Sequence, residues 1–143
     1  MTAYRLVPVT APDLEYVVEH LWERGRQELH QMHIQLSTAF NAAWQWSRPE
    51  TFRSGILLAD DVPIVATGIA VDDTGAFTWF LATEAALDHM PEVTRMLRRE
   101  LRAWGGPVRL RSASVHPETH RWFRVLGFRH ERDEGAIHIY RRE

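Results

Sequence analysis

Alternation of apolar and polar residues marks the strands of this chain. "AYRLVPVT", close to the N-terminus, alternates in this way. Between residues 54 and 82 three further β-rich runs follow: "SGILLA", "VPIVATGIAV" and "AFTWFLA". Only "DD" and "DDTG" separate these runs, and both are sequences that favour tight turns. The pattern therefore predicts three consecutive antiparallel strands joined by short hairpins.

Helical spacing fills the segments between the strands. "TAPDLEYVVEHLWERG" starts with an N-cap threonine at Thr10 and has Pro12 in its first turn. "RQELHQMHIQLSTAFNAAWQW" keeps a helical period and predicts one or two more helices, with a break near Ser37. The most regular helix is "TEAALDHMPEVTRMLRRELRAW", which the following "GG" ends.

The C-terminal third predicts a strand, a short helix and a hairpin. These are "PVRLRSASV", "HPETHRWFRVL" and "GFRHERDEGAIHIYRR", whose turn lies at "DEG". The full order is β-α-α-β-β-β-α-β-α-β-β, without repeats or linkers. We expect one α/β (α+β) domain over residues 1–143, with a mixed sheet and one βαβ crossover through the long helix.

Composition narrows the chemistry and the partners. The chain has 143 residues and a net charge of −2, so it lacks the basic field that draws proteins onto nucleic acid or anionic membranes. No apolar run approaches eighteen residues and no signal peptide is visible, which predicts a cytoplasmic protein. Cysteine and lysine are both absent. Disulfides, thiolate metal sites, Schiff bases and a P-loop lysine are thereby excluded.

The order of elements, together with "LGF" at 126–128 after a short helix, resembles the GNAT family of N-acetyltransferases across nearly the whole chain. The resemblance implies a V-splayed sheet of about seven strands with helices on both faces. It also implies acetyl-CoA, the only cofactor suggested for this chain, in a cleft where the fourth strand splays from the fifth. The residues that would contact it are Leu81, Ala82, Thr83, Ser114 and Phe123.

Proton transfer in that reaction needs a base and an acid, and the candidate residues are His116 and Glu28. Each has a plainer interpretation: His116 as a capping or exposed histidine before Pro117, and Glu28 as a solvated carboxylate. The family's tyrosine acid, four residues before the glycine of "GF", is replaced by Phe123, and His116 stands where an asparagine is common.

The family's phosphate-binding loop is also altered. The junction before the long helix reads "FLATEAALDHMPE" and contains no glycine. Glu84 and Asp88 stand where a diphosphate would lie, and their negative charge opposes its binding. These departures argue against an ordinary acetyltransferase.

A narrower resemblance fits the altered positions: the chain is similar to GNAT-like phage proteins grouped with the internal virion protein A of T7-type phages. The residues that carry it are Leu81, Thr83, Trp122 and 126–128, with Glu28 in the early helix. Trp22 and Gly25 depart from it, since charged residues are common there.

Two functions follow. The first is a phage or virus-like-particle protein that acts by binding or virion assembly, with acetyl-CoA chemistry lost or weak; it would be cytoplasmic, or virion-associated after assembly in a bacterial host. The alternative is an acetyl-CoA-dependent N-acetyltransferase with an unusual site. The first favours a protein partner or self-assembly. Trp44 and Trp46, two apart near a helix end, cannot share one face, so an exposed tryptophan is one candidate interface.

Two other clusters predict no site. His116 and His120, like His30 and His33, have helical metal-ligand spacing, but no third ligand stands at a suitable distance in the sequence. No metal is therefore predicted. Four arginines of the long helix form a stripe flanked by glutamates, and we interpret it as a solvated face.

Overall fold

The computed structural model describes all 143 residues and contains one seven-stranded sheet. Its strands are β1 (Tyr4–Val7), β2 (Arg53–Ala59), β3 (Val62–Asp72), β4 (Gly75–Ala82), β5 (Val108–Ser112), β6 (Arg129–Glu134) and β7 (Ile137–Arg142). Their order across the sheet is β1-β2-β3-β4-β5-β7-β6. Every neighbouring pair is antiparallel except β4 and β5, which run parallel. The mixed sheet and the crossover through the long helix are therefore confirmed. A second crossover was not expected: β5 and β6 run parallel with β7 inserted between them, and the short helix at 117–125 connects them.

Five α-helices accompany the sheet. They are α1 (Ala11–Glu19), α2 (Glu23–Gln31), α3 (Leu36–Trp46), α4 (Met90–Trp104) and α5 (Pro117–Val125), and a 3₁₀ turn (Glu84–His89) precedes α4. None of them has the length and hydropathy that crossing a membrane requires.

The early helical segment is broken twice. Residues 10–25 were expected to form one helix, but α1 ends at Glu19 and α2 begins at Glu23, because the Trp22 N–H between them bonds to the Ala82 carbonyl of β4.

The second break lies before the predicted position. Ser37 is inside α3, and α2 ends after Gln31 because His33 adopts a left-handed φ of 58°. The N–H of Ile34 then donates to the carbonyl of Leu29 at 2.9 Å. This hydrogen bond is typical of a helix C-terminus closed by a Schellman motif.

The predicted hairpins are confirmed. Asp60 and Asp61 both have positive φ, at 47° and 66°, as a two-residue turn between β2 and β3 requires. Between β3 and β4, Asp72 Oδ1 accepts hydrogen bonds from Thr74 N at 2.8 Å and Thr74 Oγ1 at 2.6 Å. The Thr74 side-chain donor is the main reason why the pKa of Asp72 lies below its usual value.

Helices cover both faces of the sheet, as expected. On one face α1 and α3 pack against β2–β4 in a core formed by Leu14, Val17, Val18, Ala43, Ile56, Leu58, Ala66 and Trp79. On the other face α4 and α5 cover a larger core whose helical members are Val93, Met96, Leu97, Leu101 and Phe123, with Leu126 and Phe128 following α5. The four arginines of α4 are exposed to solvent, which confirms that this stripe is a solvated face of the helix.

The "LGF" sequence closes α5. Gly127 has a φ of +97°, and its N–H donates to the Arg124 carbonyl at 2.9 Å. The Phe128 N–H donates to the Phe123 carbonyl at 3.0 Å, which completes a Schellman motif with its apolar contact. Glycine is needed here because a Cβ in this left-handed conformation would also lie 3.0 Å from Arg142 Nε.

The sheet splits between β4 and β5. Only one residue pair, Phe77 with Arg109, joins these two strands. Beyond that pair the strands diverge, and their C-terminal halves have no ladder partner in each other. This V-shaped opening, which we call the splay, is the feature that the resemblance implies.

Candidate active site

The connector between α1 and α2 lies along the β4 side of the splay. The Trp22 N–H donates to the Ala82 carbonyl at 2.9 Å, and the Glu84 N–H donates to the His20 carbonyl at 3.3 Å. Leu21 and Thr83 thus form an isolated antiparallel bridge. Because Thr83 N–H donates to Ile64 of β3 on the other side, the connector occupies the edge of β4 that β5 has left.

Thr83 is a structural residue at this edge. Its N–H and its Oγ1 both donate to the Ile64 carbonyl, at 2.9 and 3.0 Å, and the side chain is buried. Its hydrogen-bond donors are therefore engaged within the sheet. Ala82 differs, because the N–H and C=O of one residue point to the same side in an antiparallel strand. Its C=O faces the connector, so its N–H points to the same edge of β4, the edge that β5 has left.

Replacing Thr83 by valine tests this assignment. We expect a loss of about 0.5–1.5 kcal/mol in the free energy of unfolding, the usual net value of one hydrogen bond, because Ile64 keeps the backbone donor. Urea unfolding measures it, with Thr51→Val at an exposed position as the control. An unchanged stability would contradict the structural role.

Glu28 and His116, the two candidate proton-transfer residues, lie where α2 contacts the segment after β5, at the opposite side of the splay. Glu28 Oε1 accepts a hydrogen bond from Ala113 N at 2.8 Å, directly after β5. His116 Nε2 lies 3.0 Å from Gln27 Oε1, an arrangement in which the ring N–H donates. The helix α2 therefore reaches across the opening, from Ala82 on β4 to Ala113 after β5. Each of the two candidate side chains therefore has a hydrogen-bond partner.

Ser114 sets the course of the loop between β5 and α5. Its N–H donates to Ser112 Oγ and its own Oγ accepts from His116 N, both at 3.2 Å. Its carbonyl lies 2.7 Å from His120 Nε2, so that ring nitrogen carries a proton. The Ser114 N–H, carbonyl and hydroxyl oxygen are thus all hydrogen-bonded within the loop and α5.

A partly buried chain of hydrogen bonds extends from this loop and was not predicted from the sequence. His120 Nδ1 lies 2.5 Å from the Tyr140 hydroxyl. Because Nε2 donates to Ser114, Nδ1 must accept from Tyr140. Burial raises the pKa of Tyr140, which keeps this hydroxyl protonated. His120 has metal-ligand spacing from His116, but with both ring nitrogens engaged it is not available as a metal ligand.

Phe123 belongs to the core. It is 6% exposed and packs edge-on against Tyr140 with ring centroids 5.1 Å apart. The neighbouring Trp122 contacts Phe80 of β4 at 5.3 Å and donates through Nε1 to Thr94 Oγ1 at 2.9 Å. Phe80 and Trp122 therefore form an apolar contact between α5 and the diverging half of β4, while Phe123 stays in the core.

The junction between β4 and α4 is compact. Its six residues form the 3₁₀ turn, in which Ala86 is fully buried. Glu84 and Asp88 are exposed on it, and Glu92 stands in the first turn of α4. A diphosphate placed here would meet several carboxylates and no glycine.

Neither tryptophan of the α3 pair is exposed, which corrects the expectation of an exposed tryptophan. Trp46 packs against Phe77 and Trp79, with centroids 5.1 and 6.2 Å apart. Trp44 lies under the guanidinium of Arg48, 3.5 Å from the ring centroid. Both are half-buried because α3 ends over the sheet, where each ring finds a different neighbour. An interface at this pair is not supported by exposure.

Comparison with known proteins identifies the fold. No protein-family model matches the sequence, and no curated protein matches it significantly. Solved structures do match. An acetyltransferase from Agrobacterium tumefaciens has a TM-score of 0.72 at 12% identity, over 98% of this chain and 90% of the other. The PaiA N-acetyltransferase of Thermoplasma acidophilum, solved with coenzyme A, has a TM-score of 0.64 at 12% identity over 99% of both chains.

A third match carries the family name: the GNAT domain of Pat from S. lividans, with a TM-score of 0.62 at 13% identity, over 98% of this chain and 89% of the other. The structures described here are acetyltransferases, and none is described as a phage or virion protein. At these identities the likeness concerns the fold. The chain has the fold of the GNAT acetyltransferases.

Proposed function

We propose that this protein is an acyl-CoA-dependent N-acyltransferase acting on an amine. The observation that carries the proposal is the splay, where β4 and β5 share a single residue pair and α2 brings Glu28 and His116 to the far side. Backbone and carboxylate groups needed for acyl transfer to an amine thus lie around one opening. The matched acetyltransferase folds support the same function.

The chain's own groups have distinct roles in this proposal. Acyl-CoA supplies the activated thioester when bound. The Ala82 N–H is a fixed backbone donor facing the splay, suited to holding an acyl oxygen. Glu28 uses Oε1 to accept from Ala113, which leaves Oε2 to take a proton from the attacking amine.

The two ends of acyl-CoA fit this chain unequally. The splay, with its apolar rings and free strand edge, suits the pantetheine arm and the thioester. The junction before α4 does not suit the diphosphate, because Glu84 and Asp88 are exposed there and glycine is absent. We therefore expect the arm, rather than the diphosphate, to provide most of the affinity.

A second candidate function is binding or assembly without chemistry, including the virion role suggested by the narrower resemblance. It is favoured by Phe123, a buried ring where the family has a proton donor, and by the acidic junction. No structural match supports the virion role, which stays a prediction. Ligand binding separates the two candidates.

Thermal unfolding with millimolar acetyl-CoA is the deciding experiment. At about a hundred times its dissociation constant, a ligand of the native state adds roughly 2.7 kcal/mol of stability, which raises the Tm by roughly 5–10 °C for a chain of this size. ATP is the negative control because it lacks the pantetheine arm, and coenzyme A shows what the acyl group adds. Acetyl-pantetheine should give a shift close to that of acetyl-CoA. No shift with either thioester would overturn the acyltransferase proposal.

A further inference from the structure

The hairpin of β6 and β7 gathers three metal-ligating side chains on one face. A β-bulge lies between His130 and Arg132, so that His130 pairs with Tyr140 while Asp133 pairs with His138. Residues three apart in a regular strand point to opposite faces, and the extra residue of the bulge removes that difference. His130, Asp133 and His138 therefore share one side of the sheet.

Their ligand atoms are close together. Asp133 Oδ1 lies 2.7 Å from His130 Nε2 and 2.7 Å from His138 Nδ1, and all three ligand atoms lie within 4.8 Å of one another. Bonds of about 2.0–2.2 Å to a tetrahedral zinc ion place ligand atoms roughly 3.3 Å apart. Small rotations of exposed side chains suffice to reach that spacing.

We propose that His130, Asp133 and His138 form a site for a zinc-type divalent transition-metal ion, with at least one coordination position left to water. Two imidazoles and one carboxylate are the donor set that zinc and its neighbours accept, whereas magnesium and calcium require mostly oxygen ligands. The site lies on the hairpin and does not rest on the proposed acyltransferase function.

The surroundings hold the ligands in place. The His120 ring packs perpendicular to His138 with centroids 4.9 Å apart, and Tyr140 packs edge-on against His130 at 5.5 Å. His120 is itself fixed by Tyr140 and Ser114. One face of the cluster is thus backed by a rigid aromatic wall, which reduces the freedom lost when a metal is bound.

Without metal, both imidazoles donate to one carboxylate oxygen. The hydrogen bond from His130, followed by that from His138, holds the pKa of Asp133 below its usual value. One carboxylate oxygen thus already faces the two ring nitrogens at hydrogen-bond distance. For a metal ion to bind at these two ring nitrogens, each ring proton would have to move to the other nitrogen of its imidazole, which the neutral ring allows.

Titration calorimetry with Zn²⁺ tests the site at pH 7.5, with Mg²⁺ as the comparison ion. We expect one Zn²⁺ per chain and no response to Mg²⁺. Asp133→Asn and His138→Gln should each weaken Zn²⁺ binding by at least about tenfold, since even outer-shell partners of metal ligands are worth 10–100-fold. Matched controls are Asp73→Asn and His33→Gln, which lie elsewhere on the surface.

A second measurement keeps the test independent of folding. Co²⁺ added to the unaltered chain should give the visible absorption of a four- or five-coordinate site, and circular dichroism should show each variant folded. The proposal is overturned if the unaltered chain binds neither ion. It is also overturned if His33→Gln weakens binding as much as His138→Gln, because the metal would then sit on another histidine.

Discussion

Replacing Phe128 by alanine is expected to lower the free energy of unfolding by about 3–5 kcal/mol, the usual cost of removing a buried phenylalanine ring. Phe128 is among the largest fully buried side chains and is 1% exposed. It packs in the core between the sheet and helices α4 and α5, and its N–H closes α5. The ring therefore ties the helix end to the core beside the splay.

Chemical denaturation and thermal unfolding both measure this loss. At about 4 °C per kcal/mol for a chain of this length, the Tm should fall by roughly 12–20 °C. Val125→Ala is the matched control, because Val125 lies at the same helix end and is 55% exposed; it should change the Tm by little. A comparable drop in both variants would show that the helix end itself, rather than the buried ring, limits stability.

Local signals in the sequence were sufficient for most of the fold. The turns at 60–61 and 72–75 lie between alternating runs, so strand, turn and strand are encoded by neighbouring residues. "LGF" works in the same way, since the left-handed Gly127 and the buried Phe128 belong to one helix end. The splay was predicted only through the family resemblance, because the hydrophobic pattern of a strand does not show where it separates from its neighbour.

Where tertiary contacts decide, sequence reasoning failed. The end of α2 depends on His33 adopting a left-handed φ, which no glycine announces. The long helix was predicted from residue 83, yet residues 84–89 form a 3₁₀ turn because Ala86 is drawn into the core. Because Trp44 and Trp46 cannot share one helix face, one exposed ring was expected, yet Trp46 packs against the sheet and Trp44 lies under Arg48.

For the candidate site, too, the sequence predicted residue identities but not the contacts between them. The sequence identified Glu28 and His116 as candidate proton-transfer residues. The hydrogen bond from the Ala113 N–H to Glu28, however, joins residues 85 positions apart, and no local pattern predicts it. Likewise, only the bulge in β6 brings His130 onto the face of His138. The sequence "HERDEGAIH" contains all three residues, but in a strand without a bulge His130 and Asp133 would point to opposite faces of the sheet.

Replacing Glu28 by glutamine is expected to reduce the rate of acyl transfer by about 10²–10⁴-fold, the usual contribution of a positioned general base. The amide oxygen can still accept from Ala113 N, so the variant should keep its Tm and its acetyl-CoA shift. The loss should appear in kcat, because the base acts on the amine during reaction rather than on ligand binding. A coupled assay of thiol release with a small amine panel measures it.

The comparison of three variants assigns the role of Glu28. Glu28→Ala removes both the base and the acceptor for Ala113, so it should lose rate and stability together, whereas Glu28→Gln should lose rate alone. Glu23→Gln, an exposed position in the same helix, should change neither. If Glu28→Gln keeps the full rate while Glu28→Ala unfolds at lower temperature, Glu28 only fastens α2 across the splay. His116 then becomes the remaining candidate base, and its pH–rate profile would be the measurement that follows.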